Sequence, residues 1–173
     1  LGGYINSVTG RSMVLWDGGC HVHGQFSIDA IVELKRMHPD AKVLVHPECP
    51  APIQVLADEI GSTAALLNYA VKSDSKEFIV ATESGILHEM KKQCPDKVFI
   101  PVPPETPASA GCSCNECSYM RLNTLDKLYN TLKYEWPEII VDEDIAVKAV
   151  EPINSGKNPE TKDKRLGKNH GCR

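Results

Sequence analysis

The chain has 173 residues, of which 42% are hydrophobic, and its formal net charge at pH 7 is −4. This length and composition allow one ordinary hydrophobic core or two small ones. Lysine and arginine are interspersed with aspartate and glutamate, so no basic face is available for nucleic acid. No apolar run approaches the roughly 20 residues that cross a bilayer, and no secretory leader opens the chain. We therefore expect a cytoplasmic globular protein that binds neither nucleic acid nor membranes.

The first third of the chain contains two short apolar runs with an amphipathic segment between them. Residues 12–16 (SMVLW) end at an Asp-Gly-Gly turn and predict a buried strand. Residues 26–37 carry apolar side chains at helical spacing, with Ser27 as the candidate N-cap. Residues 42–45 (KVLV) predict a second buried strand.

The same alternation continues through the middle of the chain. Helices are predicted over residues 53–60, 64–71 and 86–94, and strands over residues 78–81 and 98–100. Four prolines within residues 101–107 predict an extended linker. Short strands that alternate with helices of about ten residues indicate right-handed βαβ units and a parallel sheet covered on both faces. The predicted fold class is therefore α/β, a three-layer sandwich of short parallel strands and helices.

Polar side chains follow directly after the predicted strands. The carboxyl ends of parallel strands share one edge of the sheet, and ligands bind at that edge. The residues expected there are Cys20, His23, His46, Glu48, Thr82 and Glu83. On an extended backbone, His21 and His23 would point to the same face and could form part of a metal site.

His46 and Glu48 lie on either side of Pro47. The proline restricts the local backbone, so both side chains can be held toward one ligand. Ser62 and Thr63 open a predicted helix, where hydroxyl and N–H groups can receive a carboxylate or a phosphate. The alternatives are a partly buried, hydrogen-bonding role for His46 and an ordinary N-cap at Ser62.

A dense cysteine loop precedes the last part of the chain. Cys112, Cys114 and Cys117 are separated by polar residues, Asn115 among them, that favour a solvated turn. Residues 118–136 have apolar side chains at helical spacing, which places Cys117 just before a predicted helix N-terminus. There the helix dipole favours the thiolate, the form that binds metal. The alternatives are a disulfide or unreactive surface thiols.

Other cysteines leave further interpretations open. Cys49 could be a small core residue or a further thiol ligand, whereas Cys94, late in a helix, is expected to be structural. The loop of residues 112–117 could also stabilise an α/β binding module by holding zinc, with Cys20 or His23 as the distant ligand. A chain of this kind would be a zinc-stabilised binding module and would not catalyse a reaction.

The end of the chain changes in character. Residues 142–150 predict a last helix with acidic residues in its first turn, and Pro152 is expected to interrupt it. From residue 155 onward the hydrophobic periodicity is lost and the sequence becomes basic and polar. We expect a disordered or non-native tail there, in which Cys172 has no role.

Five motifs occur in order along the chain: CHVH, HPECP, GSTAALLNYA, ATESGILHEM and CNECSYMRLNTL. Together, over about residues 10–153, they resemble the carboxyl-terminal half of a bacterial quinolinate synthase. Membership in that family implies condensation of iminoaspartate with dihydroxyacetone phosphate to quinolinate, in the de novo route to NAD. It also implies a [4Fe-4S] cluster, these two small molecules as partners and L-aspartate oxidase as the source of iminoaspartate.

The resemblance further implies three pseudo-equivalent α/β sandwich domains around the cluster, each of which supplies one cysteine. This chain would hold one complete pseudo-repeat and parts of its neighbours. The implied divisions are 1–19, the end of the preceding domain; 20–110, an α/β sandwich domain; 111–153, the cluster-ligand loop and C-terminal helices; and 154–173, the tail.

The resemblance also implies residue roles. Cys20 matches the second cluster ligand and Cys117 the third, whereas the first would lie upstream of this chain. The matched catalytic residues are His23, His46 and Glu48, and the matched substrate-binding residues are His46, Glu48, Ser62 and Thr63. Cys112 and Cys114 match accessory cysteines of some members, although their spacing differs from the C-x-x-C-x-x-C of others. Because one ligand is missing, we expect the fragment to be inactive alone.

Overall fold

The computed structural model describes residues 1–104 and 115–157. Its α-helices are α1 (Gly2–Thr9), α2 (Ile28–Met37), α3 (Ala51–Gln54), α4 (Thr63–Lys72), α5 (Ile86–Gln93), α6 (Leu125–Tyr134) and α7 (Glu143–Lys157). Its strands are β1 (Lys42–Val45), β2 (Glu59–Ile60), β3 (Glu77–Ala81) and β4 (Val98–Pro101). The chain divides into two compact units after Leu122. None of the helices described is long and apolar enough to cross a membrane.

The four strands form one parallel sheet in the order β2-β1-β3-β4. Leu44 of β1 lies opposite Glu59 of β2 on one side and opposite Val80 of β3 on the other. From β1 the chain first crosses outward to β2 and then returns past β1 to β3. The direction of winding therefore reverses between β1 and β3, and the crevice beyond their carboxyl ends is where such sheets bind ligands.

The side chains of the sheet alternate between two hydrophobic clusters, one on each face. The first core cluster contains Val43, Val45, Ile79 and Ala81 of the sheet together with Ile31 of α2 and Ile53 of α3. The second core cluster contains Leu44, Phe78, Val80 and Phe99 of the sheet together with Leu66 and Ala70 of α4 and Met90 of α5. Helices thus cover both faces, and the predicted three-layer α/β sandwich is confirmed.

The strongly periodic segments fold as the sequence predicts. The strands over residues 42–45 and 78–81 and the helices α2, α4 and α5 all form within one or two residues of the expected bounds. Ser27 caps α2, since its Oγ accepts a hydrogen bond from the N–H of Ala30 at 3.4 Å. Ser62 caps α4 in the same way, at 3.3 Å from the N–H of Ala65. Each hydroxyl satisfies a helix N–H group that has no partner within its helix.

Two predictions in the first half of the chain are wrong. Residues 12–16 form no strand, and the side chains of Val14 and Trp16 are fully exposed or nearly so, at 101% and 91%. An apolar run becomes a stable strand only beside a partner, and none of the four described strands pairs with it. Residues 53–60 are not one helix but are divided between α3 and β2.

Asp58 explains why the predicted helix over residues 53–60 breaks. Its N–H donates to the carbonyl of Val43 at 2.8 Å, and its carboxylate accepts from the N–H of Val43 at 2.8 Å. Lys42 adds an ion pair to the same carboxylate at 2.8 Å. These contacts draw the chain against β1, where Glu59 and Ile60 complete the edge of the sheet.

The last helices also begin and end at other residues than predicted. Helix α6 starts at Leu125 instead of near residue 118, because Thr124 caps it by accepting from the N–H of Lys127 at 3.2 Å. Helix α7 continues through Pro152 to Lys157. A proline removes one N–H donor, and here that loss does not end the helix.

Two expectations about the end of the chain have different outcomes. The tail expected from residue 154 onward is helical as far as Lys157, and residues 158–173, including Cys172, lie outside the described residues. The linker expected over residues 101–107 is described only as far as Pro104. The domain boundaries implied by the resemblance stay a prediction.

Candidate functional site

The candidate site lies beyond the carboxyl ends of β1 and β3. His46 directly follows β1, and its N–H donates to the carbonyl of Ala81 at 3.1 Å, which ties it to the end of β3. Thr82 and Glu83 directly follow β3. His23 comes from the single-turn 3₁₀ helix His23–Gln25 that precedes α2. Three separate stretches of sequence therefore meet at the point where the sheet reverses its winding.

His23 is buried, with 6% of the residue exposed. Its Nε2 lies 3.0 Å from Oγ1 of Thr82, which is itself buried. Its Nδ1 lies 3.1 Å from Oε2 of Glu48, but the two are not aligned as a hydrogen bond. Nδ1 is the buried side-chain nitrogen that has no hydrogen-bond partner among the described residues. Buried polar groups are normally paired, so Nδ1 interacts here with the Glu48 carboxylate by charge and remains available to a ligand.

His46 stacks on His23, with ring centroids 4.1 Å apart and planes 10° apart. Its Nδ1 accepts a hydrogen bond from the N–H of Glu48 at 3.3 Å. The neutral ring of His46 therefore carries its proton on Nε2, where it can be donated to a ligand. Nδ1 of His46 and Oε2 of Glu48 lie 3.6 Å apart.

Burial lowers the pKa of both histidines below the ordinary value of 6.5. For His23, the neighbouring His46 lowers the pKa further, and the carboxylate of Glu48 opposes this in part. Both rings are therefore neutral at pH 7. A neutral imidazole can accept a proton on one nitrogen and donate one from the other, which suits general acid–base chemistry.

Cys20, His23 and Glu48 form a group that could hold a metal ion. One ligand atom from each of the three lies within 4.8 Å of the other two. Cys20 and Glu48 are half-buried and His23 is buried. Thiolate, imidazole and carboxylate are all ligands of transition metals in proteins.

The segments that carry Cys20 and Cys117 lie on the same side of the sheet. Both cysteines are half-buried and pack against the first core cluster. His21 and Tyr119, which are near neighbours of these two cysteines, meet edge to face with ring centroids 5.4 Å apart. The tertiary structure thus places two cysteines that are far apart in the sequence against the same hydrophobic cluster.

The residues after β3 also hold the loop that contains Cys117. Oε1 of Glu83 accepts a hydrogen bond from the N–H of Cys117 at 3.2 Å, and the N–H of Ser84 donates to the carbonyl of Asn115 at 3.0 Å. The amide of Asn115 donates to the carbonyl of Val102. Asn115 is buried, with 6% exposed, so its expected place in a solvated turn is wrong. This role of Asn115 could not be predicted from the sequence, because no spacing pattern marks an asparagine that donates to a distant carbonyl.

The remaining candidate residues have different outcomes. Ser62 and Thr63 follow β2 at the same edge of the sheet, and Ser62 is an exposed N-cap, the alternative considered from its spacing. The prediction that His21 and His23 share a face is wrong, because the 3₁₀ turn leaves His21 exposed and His23 buried. The prediction that Cys117 directly precedes an α-helix is wrong, because a 3₁₀ turn at Met120–Leu122 follows it instead.

The other cysteines divide between the core and the part of the chain outside the described residues. Cys49 is buried in the first core cluster, and its thiol lies 3.5 Å from the carbonyl of Ala81. Burial raises the pKa of that thiol to about 12, so at neutral pH it stays protonated and packs as a small core residue. Cys94 is buried in the second core cluster, as expected. Cys112 and Cys114 lie outside the described residues.

A family model described as "Quinolinate synthetase A protein" (NadA) matches residues 1–156. The chain belongs to the quinolinate synthase family. It is 56% identical over 153 residues to the quinolinate synthase of Microcystis aeruginosa and 52% identical to that of Chloroherpeton thalassium. These matches cover 88% of this chain and 47% of each relative, so the chain spans about half the length of the curated relatives it matches. The resemblance predicted from the five motifs is confirmed.

The donors present fit part of the ligand set of an iron–sulfur cluster. Clusters of this kind are held by cysteine thiolates, and Cys20 and Cys117 pack against one apolar cluster. His23 belongs with Cys20 and Glu48 to the group that could hold a metal ion, and its Nδ1 lies 3.1 Å from Oε2 of Glu48. The quinolinate synthase family implies a metal cofactor, and the chemistry of these donors agrees with that implication.

Proposed function

We propose that this chain forms one half of an enzyme that condenses iminoaspartate with dihydroxyacetone phosphate to quinolinate, in de novo NAD biosynthesis in the cytoplasm. Its membership in the quinolinate synthase family supports this proposal. The observation that carries it is the convergence of Cys20, His23, His46 and Glu48 beyond β1 and β3. L-aspartate oxidase would be the source of iminoaspartate. Because the chain spans half of its relatives' length, we expect it to be inactive alone.

Cys20 and Cys117 would hold a [4Fe-4S] cluster together with a third cysteine from upstream of this chain. When bound, such a cluster with an open iron position supplies a Lewis acid for the carboxylate and nitrogen of the substrate. The first core cluster packs against both thiols and limits the access of water to them. Cys112 and Cys114 would be accessory thiols.

His46 and Glu48 would move protons during dehydration and ring closure. His46 presents a protonated Nε2, because its Nδ1 already accepts the N–H of Glu48. The carboxylate of Glu48 is half-buried and lies beside both histidine rings, so it can take up a proton as a general base. Because burial lowers the pKa of His46, its ring is neutral at pH 7, and the proton on Nε2 is the one it can donate to the substrate.

His23 would orient the substrate instead of exchanging protons with solvent. Thr82 holds its Nε2, and Nδ1 remains for a ligand.

Ser62 and Thr63 would bind a carboxylate or phosphate at the N-terminus of α4. There the N–H groups of the first turn and the dipole of the helix favour an anion. Ser62 accepts from the N–H of Ala65, which leaves its own hydroxyl proton for the ligand.

The decisive experiment joins this chain to the upstream half of a relative under anaerobic conditions, reconstitutes the cluster and measures quinolinate formation. The joined protein should form quinolinate, and the Glu48→Gln variant should lose at least about 100-fold in rate if Glu48 is the general base. Glu89→Gln is the matched control, since Glu89 is a surface residue of α5 that lies within 4.0 Å of Lys92. Full activity in the Glu48 variant would contradict the assignment.

The alternative of a zinc-stabilised binding module on residues 112–117 stays a prediction. Two of its three thiols, Cys112 and Cys114, lie outside the described residues. Anaerobic reconstitution separates the two proposals, because an iron–sulfur cluster absorbs broadly in the visible range whereas a zinc site is colourless.

A further inference from the structure

Cys20, His23 and Glu48 have the arrangement of a mononuclear metal site. Their ligand atoms lie within 4.8 Å of one another, and Nδ1 of His23 lies 3.1 Å from Oε2 of Glu48. Zinc binds sulfur at about 2.3 Å and nitrogen or oxygen at about 2.0–2.2 Å, so its tetrahedral ligands stand about 3.3–3.6 Å apart. The 3.1 Å between Nδ1 and Oε2 and the limit of 4.8 Å on the separation of the ligand atoms are near this spacing.

The surroundings of His23 support this interpretation independently. A histidine that binds a metal through one ring nitrogen usually has the other nitrogen held by a hydrogen bond. Here Thr82, which is buried, holds Nε2 at 3.0 Å. The opposite nitrogen, Nδ1, is buried, faces Glu48 and lacks a hydrogen-bond partner among the described residues. The ring is thus oriented as a ligand before any metal arrives.

We propose that Cys20, His23 and Glu48 bind one divalent transition-metal ion of the Zn²⁺ class when no iron–sulfur cluster is present. Three protein ligands of mixed S, N and O type leave a fourth position for water, as in many zinc sites. Cys117 is not part of this group. The site shares Cys20 with the proposed cluster, so that one thiolate cannot serve both, and bound zinc would block cluster assembly. This last consequence rests on the proposed function, whereas zinc binding itself does not.

The test uses the whole 173-residue chain, reduced and free of metal, and titrates it with Zn²⁺ against a chromophoric chelator. Cys112, Cys114 and Cys172 are replaced by serine in every protein, because thiols outside the described residues could bind zinc themselves. We expect one equivalent of zinc per chain. Co²⁺ in place of Zn²⁺ should show the charge-transfer band of a thiolate ligand and the strong visible bands of a tetrahedral site.

Variants of the three ligands decide the assignment. Cys20→Ser, His23→Gln and Glu48→Gln should each weaken zinc binding by at least about tenfold, and Thr82→Val by about 10–100-fold. The Glu48→Gln substitution is nearly isosteric and the side chain is half-buried, so this variant should still fold. The melting temperature of each metal-free variant verifies this. Cys117→Ser and Cys94→Ser are the controls, and each should bind zinc as tightly as the chain that carries only the three serine replacements.

Several outcomes would overturn the proposal. The first is an unchanged zinc affinity in the variants of Cys20, His23 and Glu48. The second is the absence of zinc binding once Cys112, Cys114 and Cys172 are serine. The third is the loss of zinc binding in Cys117→Ser. The Cys117 control also separates this proposal from the proposed function. If that variant binds zinc but cannot hold a cluster in the joined protein, both proposals stand. If the chain with these three serines binds zinc and the joined protein never assembles a cluster, only the proposed function fails.

Discussion

The carboxylate of Glu83 accepts a hydrogen bond from the backbone N–H of Cys117 at 3.2 Å and from the N–H of Gly85 at 2.8 Å. One side chain at the end of β3 therefore holds both the turn that opens α5 and the loop that carries a proposed cluster ligand. The preceding residue, Thr82, holds His23 at 3.0 Å. Thr82 and Glu83, the two residues directly after β3, thus anchor two separate loops of the candidate site.

We predict that Glu83→Ala frees the Cys117 loop. The loss of a hydrogen bond to a half-exposed carboxylate is worth roughly 1 kcal/mol, which corresponds to about fivefold faster hydrogen exchange at the amide of Cys117. Alkylation of the Cys117 thiol, measured by mass spectrometry in the metal-free chain, should speed up by a similar factor. Glu83→Gln keeps one acceptor oxygen and should recover part of the protection. Unchanged exchange in Glu83→Ala would show that the contact does not hold the loop.

A second prediction concerns the proposed cluster ligands. In the joined protein, Cys20→Ser and Cys117→Ser should each lose most of the bound iron and of the visible absorption, because oxygen of serine is a poor substitute for thiolate sulfur. Cys94→Ser is the matched control, since Cys94 is buried in the second core cluster on the opposite face of the sheet. A cluster that remains intact in Cys20→Ser would rule out the ligand assignment.

A third prediction is a pH dependence of stability. The pKa values of His23 and His46 are lowered on folding, so between these values and 6.5 the unfolded chain binds more protons than the folded chain. The free energy of unfolding must then fall as the pH falls below 6.5. Urea denaturation of the metal-free chain at pH 7.5 and pH 5.5 should show this loss, and His23→Gln should make it smaller. His88→Gln, a histidine on the exposed side of α5, is the matched control. An equal loss in wild type and His23→Gln would contradict the prediction.

A fourth prediction compares two helix caps of the same geometry. Ser27 and Ser62 accept from the N–H group three residues on at 3.4 Å and 3.3 Å, so Ser27→Ala and Ser62→Ala should each cost about 0.5–2 kcal/mol of stability. If Ser62 also binds substrate, only Ser62→Ala should raise KM in the joined enzyme. Denaturation and steady-state kinetics of both variants provide the measurement. Equal KM values would reduce Ser62 to a cap alone.

The regular elements could be predicted wherever the hydrophobic pattern was strong. Strands β1 and β3 are short, mostly apolar runs (KVLV and EFIVA), and α2 and α5 have apolar residues at helical spacing, so local sequence was sufficient. The two-residue strand β2 could not be found in this way. It exists because Asp58 bonds to Val43 across the sheet, which is a contact between residues fifteen positions apart.

The candidate site was predicted in part for a similar reason. His46 and Glu48 are close in sequence and follow a clear strand, so their proximity could be expected. The contacts of His23 with Thr82 and of Cys117 with Glu83 join residues 59 and 34 positions apart, respectively. No periodicity encodes such pairs, because they depend on the order in which strands assemble.

The amino-acid sequence by itself determined the family, the α/β class and the identities of the polar residues that follow the strands, since these depend on ordered motifs and on local patterns of burial. Only the tertiary structure decided which of these residues meet. The strand order β2-β1-β3-β4 places the ends of β1 and β3 side by side. There Nδ1 of His23 lies 3.1 Å from Oε2 of Glu48 and has no hydrogen-bond partner among the described residues. The physical reason is that strand order depends on long-range hydrogen bonding and packing, which the spacing of residues along the chain does not specify.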